Sequence, residues 1–173
     1  MAGSLLILTG ASGAGKTTLA HAIEAASPSC VVLFFDSIGV PSPEGMAAYT
    51  SGYGNGPEGW QRSMTFEWMR RIAPVLESGQ SVLFEGQMRI AFLDEAMAAA
   101  GIRHARIVLV DCDDQIRSTR LTQDRQQPEL AHEGMMSWAR YLRDEAKRSG
   151  HEILDTGSVP FAVCAQRLIA HLD

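Results

Sequence analysis

The chain has 173 residues, a formal net charge of −5, 46% hydrophobic residues and 20% charged residues. These values are typical of one soluble globular domain, and a chain of this length buries about 70% of its unfolded surface in a single core. We therefore expect one domain over residues 1–173. The net negative charge argues against a protein that binds long nucleic acid through its phosphates.

The sequence also lacks signals for export, membrane insertion or metal binding through cysteine and histidine. No apolar stretch approaches the roughly 20 residues that span a bilayer, and the first residues lack the basic segment of a signal peptide. Cys30, Cys112 and Cys164 are widely spaced among apolar residues, which predicts reduced, packed thiols. The five histidines are equally scattered. We expect a cytoplasmic protein and leave open whether it is a monomer or a homodimer.

Five apolar, strand-like runs alternate with helical patterns along the chain. Strands that alternate with helices predict an α/β sandwich built on a parallel sheet. The runs cover residues 4–9, 31–35, 81–84, 106–110 and 152–154.

The first run leads directly into the most specific motif of the chain. Residues 10–17 read Gly-Ala-Ser-Gly-Ala-Gly-Lys-Thr, which matches G-x-x-x-x-G-K-[ST], and an alanine-rich helical pattern follows. In such a phosphate loop the backbone N–H groups converge on phosphate oxygens, Lys16 reaches the β- and γ-phosphates, and the Thr17 hydroxyl serves Mg²⁺. The motif therefore predicts a nucleoside triphosphate site. Its expected nucleotide-binding residues are Gly10, Ala11, Ser12, Gly13, Ala14, Gly15, Lys16, Thr17 and Thr18.

The second run ends in a carboxylate, Asp36, at the carboxyl end of a strand. A carboxylate in this place suits a catalytic base that accepts a proton from an acceptor hydroxyl, or a group that organises Mg²⁺. We expect Asp36 to have a catalytic role and to contact the acceptor and the metal. The alternative is that Asp36 only caps the following turn.

Residues 37–59, here named the closing segment, interrupt the alternation of strands and helices. The closing segment is rich in glycine and proline and contains two tyrosines. It starts at the edge of the sheet where ligands bind in open α/β folds, and long loops in such places are often lids or binding loops. We expect it to close over a substrate, with a flexible surface insertion as the alternative.

Two helices are expected around the third strand-like run. Apolar residues at four-residue steps predict a buried face on each of them. Pro74 is expected to kink or interrupt the first helix, because it lacks the N–H that would bond to Arg70. Gly101 is expected at the end of the second, where glycine suits a C-cap. The two stripes are Trp60, Met64, Trp68 and Ile72, and Ile90, Leu93, Met97 and Ala100.

The third run is followed by an acid, a glycine and, three residues later, an arginine. We expect Glu85 to hold a water of the Mg²⁺ shell, Gly86 to let backbone approach a ligand, and Arg89 to clamp a second anionic group. The expected substrate-binding residues are thus Asp36, Glu85, Gly86 and Arg89, and the expected metal residues are Thr17, Asp36 and Glu85. The alternative is an ordinary charged pair on a loop.

Arg117, Arg120 and Arg125 follow the fourth run and lead into a helix-breaking segment. Arginines here are expected to cover the transferring phosphoryl group and to neutralise the charge that develops on it. Arg120 and Arg125 lie in residues 120–134, where a short lid is expected. We rank Arg120 and Arg125 above Arg117 for this role, and each has an equal alternative in a surface ion pair with a neighbouring aspartate.

The remaining elements are helical, apart from the last strand-like run. Asp113 or Asp114 is expected to cap the helix after the fourth run. The next helix is expected to end near Gly150, and a last helix to cover residues 161–172. The helix before Gly150 has an apolar stripe of Met135, Ala139, Leu142 and Ala146, and a basic face of Arg140, Arg143 and Lys147 that predicts solvent contact.

Over nearly its whole length the chain resembles the nucleoside-monophosphate-kinase-like group of small P-loop kinases, which includes adenylate, shikimate, gluconate and chloramphenicol kinases. Glu85-Gly86 with Arg89 looks like the Asp-Gly-x-x-Arg of nucleotide kinases. Arg120 and Arg125 look like the lid arginines of the group. The stretch Asp155-Thr156-Gly157 resembles the loop that packs beside adenine.

This resemblance implies a three-layer α/β/α fold with a five-stranded parallel sheet in the order 2-3-1-4-5 and a short lid. It implies ATP and Mg²⁺ as cofactors. Lys16, Asp36, Arg120 and Arg125 would be catalytic, and Arg120, Asp155, Thr156 and Gly157 would contact the nucleotide. Two residues depart from the pattern of nucleotide kinases: Glu85 replaces the usual aspartate and Met88 the usual proline. These departures favour a small molecule over a nucleotide as the acceptor. The chain most resembles the chloramphenicol-phosphotransferase-like or uncharacterised ATP-binding members of the group.

The expected function is ATP- and Mg²⁺-dependent transfer of a γ-phosphate to a hydroxyl or phosphate of a small molecule. One alternative is a P-loop NTPase switch that acts on a protein partner, although no water-positioning residue is evident. Another is a nucleic-acid end kinase, because Asp36 and Arg120 would serve a terminal hydroxyl equally well. The acidic net charge counts against this second alternative.

Overall fold

A computed structural model describes residues 3–172 of the protein. A parallel sheet of five strands has the order β2-β5-β1-β6-β7, which is 2-3-1-4-5 when these five strands are counted alone, as predicted. The remaining two strands form a small antiparallel hairpin. The strands are Leu5–Thr9 (β1), Val31–Phe34 (β2), Thr50–Ser51 (β3), Gly54–Asn55 (β4), Val82–Gly86 (β5), Arg106–Asp111 (β6) and Glu152–Asp155 (β7).

Helices cover both faces of the central sheet. Within residues 3–172, none of them combines the length and the apolarity that crossing a bilayer requires. The helices are Lys16–Ala26 (α1), Pro43–Ala47 (α2), Gly56–Glu77 (α3), Ile90–Ala99 (α4), Asp114–Thr119 (α5), Glu133–Ser149 (α6) and Phe161–Ile169 (α7).

The period of two along each strand divides the core into two layers. On β1, Leu5 and Ile7 pack into a cluster with buried residues of α3, α4 and α6. Leu6 and Leu8 point the other way, into a cluster with α1 and α7. The predicted three-layer α/β/α arrangement is therefore confirmed, and the carboxyl ends of the strands meet at one edge.

The helix ends confirm most of the expected caps. Asp113 caps α5 by accepting the N–H of Ile116 at 2.8 Å. Gly101 and Gly150 follow α4 and α6 with φ of +71° and +69°, a conformation that favours glycine. The expected thiol state also holds, since Cys30, Cys112 and Cys164 are free and buried.

Three details of the helices differ from the prediction. Pro74 does not interrupt α3, which continues to Glu77 because residues on both sides of the proline, including Ile72 and Leu76, are buried in the core. On α6 the buried methionine is Met136 and not Met135. The last helix ends at residue 169, three residues earlier than predicted.

The closing segment is folded. It contains α2 and the β3–β4 hairpin, and its last residues, from Gly56 onward, already belong to α3. The hairpin and α3 meet without side chains between them: a Cβ on Gly59 would lie 2.2 Å from the backbone carbon of Gly54. The Gly56 N–H also donates to the Tyr49 carbonyl at 2.8 Å. At least one glycine near the end of the segment, Gly59, thus allows the segment to pack closely onto α3.

We expect Gly59→Ala to lower the free energy of unfolding by about 1–3 kcal/mol, the usual cost of overpacking. The added methyl group meets backbone, which cannot rotate out of the way. Urea denaturation measures the change. Gly52→Ala in the same segment is the matched control, because its Cβ meets no atom within 4 Å; equal stability of the two variants would contradict this packing.

Candidate active site

The phosphate loop, residues 10–17, joins β1 to α1 at the carboxyl edge of the sheet. Gly13 and Gly15 have φ of +80° and +94°, which residues with side chains rarely adopt. Gly15 is the N-cap of α1, so the free N–H groups of the first helical turn point toward the loop. The loop thus has the curled shape and the positive helix end that bind phosphate.

Lys16 is buried inside this loop, with 6% of its surface exposed. Its Nζ donates to the Ala11 carbonyl at 3.3 Å and lies 3.7 Å from Glu85 Oε1. Burial lowers the pKa of Lys16, and the Glu85 carboxylate opposes that shift. A desolvated ammonium group gains from an anion, so its surroundings fit a phosphate group.

Glu85 lies beside the phosphate loop because β5 is the neighbour of β1 and pairs it with Leu8. The side chain is buried, and Thr17 Oγ1 donates to Glu85 Oε2 at 3.4 Å. Burial raises the pKa of Glu85, whereas Lys16 lowers it. Glu85 and Gly86 are the last two residues of β5, so both belong to the strand and not to the loop that follows it.

Gly86 is explained by packing. A Cβ at this position would lie 2.4 Å from the Cβ of Phe35. The close backbone approach that the sequence predicted is thus an approach to the protein's own Phe35, and Gly86 is buried. This contact sets the distance between β5 and the turn that carries Asp36.

Asp36 lies in a 3-10 turn, Phe35–Ile38, directly after β2. The register pairs Phe34 at the end of β2 with Glu85. Asp36 is exposed. Its negative charge opposes the lowering of the Lys16 pKa by burial and adds to the raising of the Glu85 pKa. The structure therefore brings the three predicted side chains to one place, with a buried lysine and glutamate and a solvent-accessible aspartate.

These residues also fit Mg²⁺ with a nucleotide. Within the described residues 3–172, no three His, Cys, Asp or Glu side chains form a metal site by themselves. Mg²⁺ in nucleotide sites commonly takes one or two carboxylates together with phosphate oxygens and water. The Thr17 hydroxyl and the Glu85 carboxylate, 3.4 Å apart at the loop, are oxygen ligands of this kind.

A cavity of about 480 Å³ opens from the phosphate loop toward α7. Arg120 crosses one wall: its Nη1 donates to Thr156 Oγ1 at 2.8 Å and its Nη2 to the Thr156 carbonyl at 2.9 Å. Thr156 in turn donates to the Ala14 carbonyl at 2.7 Å. The predicted adenine-side residues Arg120 and Thr156 are therefore connected to the loop and line a space suited to a nucleotide base.

The predicted catalytic residue Arg125 and the predicted nucleotide residue Asp155 take different places. Arg125 is exposed and lines the same cavity, close enough to lower the pKa of Lys16. Asp155 accepts hydrogen bonds from the Gly157 N–H at 2.8 Å and the Ser158 hydroxyl at 2.7 Å, which shapes the turn after β7. Ser158 and the backbone lower the pKa of Asp155. A larger cavity, about 650 Å³ near Gly3, is lined by none of the predicted catalytic, nucleotide-binding, substrate-binding or metal residues.

Arg117 is fully buried beneath the phosphate loop. It therefore neither covers a transferring phosphoryl group nor forms a surface ion pair, the two roles that the sequence predicted. Its Nη1 donates to the Ser12 carbonyl at 2.7 Å and its Nη2 to Asp111 Oδ1 at 2.5 Å. Arg143 binds the other carboxylate oxygen of Asp111, also at 2.5 Å. Arg143 is therefore not part of a solvated face, as the sequence had indicated, and Asp111 raises its pKa.

Arg89 precedes α4, and its guanidinium group is surrounded by aromatic rings. The rings of Trp138, Phe92 and Tyr141 lie 5.0, 5.4 and 5.6 Å from its Cζ. Its Nη1 donates to Gln61 Oε1 at 3.0 Å. The side chain is 22% exposed and its Nη2 lies 3.4 Å from the carboxylate of Glu58, which is 67% exposed. The guanidinium group of Arg89 is thus packed by aromatic rings, and Gln61 and Glu58 contact its polar edge.

Gln87 is a site residue that sequence reasoning missed. Its Nε2 donates to Ser12 Oγ in the phosphate loop at 3.1 Å, and its Oε1 accepts from the Trp138 indole N–H at 3.2 Å. The Gln61 amide donates to the Gln87 carbonyl at 2.8 Å. The only signal in the sequence was its position between Glu85 and Arg89, and this signal does not predict a partner.

No protein-family model and no curated protein matches the sequence. Solved structures do match. A shikimate kinase from Acinetobacter baumannii in complex with shikimate has a TM-score of 0.65 at 20% identity, over 96% of this chain and 90% of that one. The chain has the small P-loop kinase fold.

Other solved structures align over similar lengths. A gluconokinase from Sinorhizobium meliloti 1021 has a TM-score of 0.61 at 15% identity, with 98% of this chain and 91% of that chain covered. The Deinococcus radiodurans tunicamycin resistance protein has a TM-score of 0.65 at 16% identity, with 96% and 94% covered. The fold-level resemblance inferred from the sequence is confirmed.

Proposed function

We propose that the protein is an ATP- and Mg²⁺-dependent phosphotransferase that moves a γ-phosphate to a hydroxyl or phosphate of a small molecule. The observation that carries the proposal is the arrangement of Lys16, Thr17 and Glu85 at a phosphate loop, with the exposed carboxylate of Asp36 beside them. A triphosphate site with an adjacent, solvent-accessible base favours transfer to an acceptor.

Each of these residues has a separate task in the proposed reaction. Bound Mg²⁺-ATP supplies the phosphoryl group together with part of the charge neutralisation. Lys16 contacts the terminal phosphates, and Thr17 and Glu85 hold the metal or its water shell. Asp36 accepts the proton of the acceptor hydroxyl as that oxygen attacks.

Arg120 and Arg125 have different roles in the proposed reaction. Arg120 is bound to Thr156 at the base side of the cavity, which supports a role in holding the nucleotide. Arg125 is exposed and lies near Lys16, which supports a role in covering the phosphoryl group during transfer. We therefore assign nucleotide binding mainly to Arg120 and charge stabilisation mainly to Arg125.

The acceptor side supports a small molecule. The folded closing segment and α3 flank Asp36 and Arg89, and we propose that they close over the acceptor. Similar structures include a shikimate kinase in complex with shikimate and a gluconokinase, both of which are named for small-molecule acceptors. Three free, buried cysteines fit an enzyme of the cytoplasm.

Transfer of phosphate from γ-labelled ATP to a broad panel of hydroxylated metabolites and antibiotics tests the function. We expect at least one labelled product whose formation needs Mg²⁺ and is lost in Lys16→Ala. ATP hydrolysis that rises only with a protein partner, or label transferred only to oligonucleotide ends, would overturn the small-molecule assignment.

We expect Glu85→Gln to raise the Mg²⁺ concentration for half-maximal activity by about 10- to 100-fold, the usual effect of losing a group that orients metal ligands. The amide keeps the shape of the side chain but not its negative charge. A Mg²⁺ titration of the initial rate at saturating ATP measures the change. Glu24→Gln, an exposed residue of α1, is the control; an unchanged Mg²⁺ requirement in Glu85→Gln would refute a metal role.

A further inference from the structure

Glu145 is a buried carboxylate of α6 that bonds to another helix. It is 7% exposed. Its Oε2 accepts the backbone N–H of Ile90 at 2.7 Å, and its Oε1 accepts that of Ala91 at 3.2 Å. These are the first two residues of α4. A glutamate of α6 therefore caps a helix that begins 55 residues earlier in the chain.

This cap replaces one that α4 lacks. The residue at its N-cap position is Arg89, whose side chain makes no capping hydrogen bond. The first N–H groups of a helix need acceptors, and a carboxylate there also interacts favourably with the helix dipole. Glu145 supplies both the acceptors and the negative charge, and the first N–H group that it accepts belongs to Ile90, directly after Arg89. The two N–H groups that Glu145 accepts thus belong to the residues that directly follow Arg89.

The same face of α6 also holds the Arg89 side chain. Trp138 and Tyr141 stack on each other with ring centroids 5.4 Å apart, and both rings lie against the Arg89 guanidinium group. The Tyr141 hydroxyl donates to Glu145 Oε1 at 3.4 Å. One helix face thus contacts the Arg89 cation through Trp138 and Tyr141, and the two residues that follow Arg89 through Glu145.

We infer that Glu145 is a positioning residue, which orients Arg89 toward the acceptor by fixing the start of α4. The inference rests on the proposed function, in which Arg89 lies on the acceptor side of the site. Glu145 itself touches neither substrate. Its loss is expected to affect the acceptor side and to leave the nucleotide side intact, because Lys16 and Arg120 are held by other contacts.

The positioning role can be tested without any acceptor by NMR of the whole protein. Three aromatic rings around Arg89 shift its Nε–Hε signal, which Arg89→Lys identifies by removing it. In Glu145→Leu we expect at least half of this ring-current shift to be lost and the amides of Ile90 and Ala91 to exchange faster. Glu145→Gln, which keeps the shape but not the charge, is expected to give a smaller change. Asp144→Asn, an exposed neighbour on α6, is the control and should give none.

Kinetics with an acceptor found in the panel above supply the second readout. Glu145→Leu is expected to raise the acceptor KM about tenfold or more, because misplacement of a binding group is costly, while the ATP KM changes less than about twofold. A general loss of stability would lower the rate in proportion to the folded fraction. It would leave the acceptor KM and the ATP KM unchanged.

The two hypotheses fail in different ways. If Glu145→Leu changes the Arg89 signal but no panel compound is phosphorylated, the positioning role stands and the proposed phosphotransfer fails. If transfer is observed and the Arg89 signal and acceptor KM stay at wild-type values in both Glu145 variants, the positioning role is wrong. If Glu145→Leu does not fold, Glu145→Gln decides: normal exchange at Ile90 and Ala91 overturns the inference.

Discussion

Asp36→Asn is expected to lower kcat by about 10²- to 10⁴-fold, the range for loss of a general base, while ATP affinity stays nearly unchanged. Asparagine keeps the shape of the side chain and can still accept a hydrogen bond from the acceptor, but it cannot take up the proton. Asp36 is exposed beside Lys16 and Glu85 and does not belong to the phosphate loop. Initial rates with the identified acceptor and a separate ATP-binding titration measure the two quantities.

The same experiment separates the two roles that the sequence left open for Asp36. If Asp36 organises Mg²⁺, the variant will need more Mg²⁺ and recover much of its activity at high concentration. If Asp36 is the base, added Mg²⁺ will restore little. Glu44→Gln, an exposed acid of α2, controls for loss of charge in the closing segment. Full activity of Asp36→Asn at ordinary Mg²⁺ would show that both assignments are wrong.

Arg117→Met is expected to lower the free energy of unfolding by about 3–5 kcal/mol, the usual effect of breaking a buried ion pair from one side. Arg117 is fully buried, and its loss leaves the Ser12 carbonyl without its donor and Asp111 with only Arg143. Its aliphatic part also supports the loop, since a Cβ on Gly13 would lie 3.1 Å from Arg117 Cγ. Urea denaturation without nucleotide measures the change.

Arg125→Met is the matched control for Arg117. Both arginines follow β6, but Arg125 is exposed at the cavity, so its replacement should change stability by no more than about 0.5 kcal/mol. We expect the opposite order in catalysis, with Arg125→Met folded and slow. If Arg117→Met were as stable as Arg125→Met, the buried pair would not support the phosphate loop.

The sequence predicted the parts of the molecule that depend on local patterns. The order of strands and helices, the phosphate loop, and caps such as Asp113 and Gly150 follow from periodicity and from residues with special backbone or capping properties. The placement of Glu85 also followed, because the carboxyl ends of parallel strands share one edge of a sheet.

The arginines show where that reasoning stops. Arg117, Arg120 and Arg125 have similar neighbours in the sequence, yet one is fully buried, one binds Thr156 and one is exposed. Arg117 lies in α5, whereas a π-helical turn covers Arg120–Asp124, and Arg125 follows that turn. Charge and spacing do not reveal such a turn.

Contacts between distant elements were equally hidden. Glu145 is bonded to α4, and Arg143, in a basic face that predicted solvent contact, is bonded to Asp111. A charged residue on an amphipathic helix is usually solvated, and only the packing of α6 against α4 and β6 shows that these two are bonded within the protein. Pro74 similarly stays helical because its neighbours are buried.

The Gln87 bridge between Ser12 and Trp138 has a consequence for the direction of hydrogen bonding in the phosphate loop. An indole N–H can only donate, so the oxygen of the Gln87 amide must face Trp138 and its NH₂ group must face Ser12. Ser12 Oγ therefore accepts this bond and keeps its own proton. That proton is available to a phosphate oxygen, so a tryptophan on α6 sets the polarity of a hydroxyl in the loop.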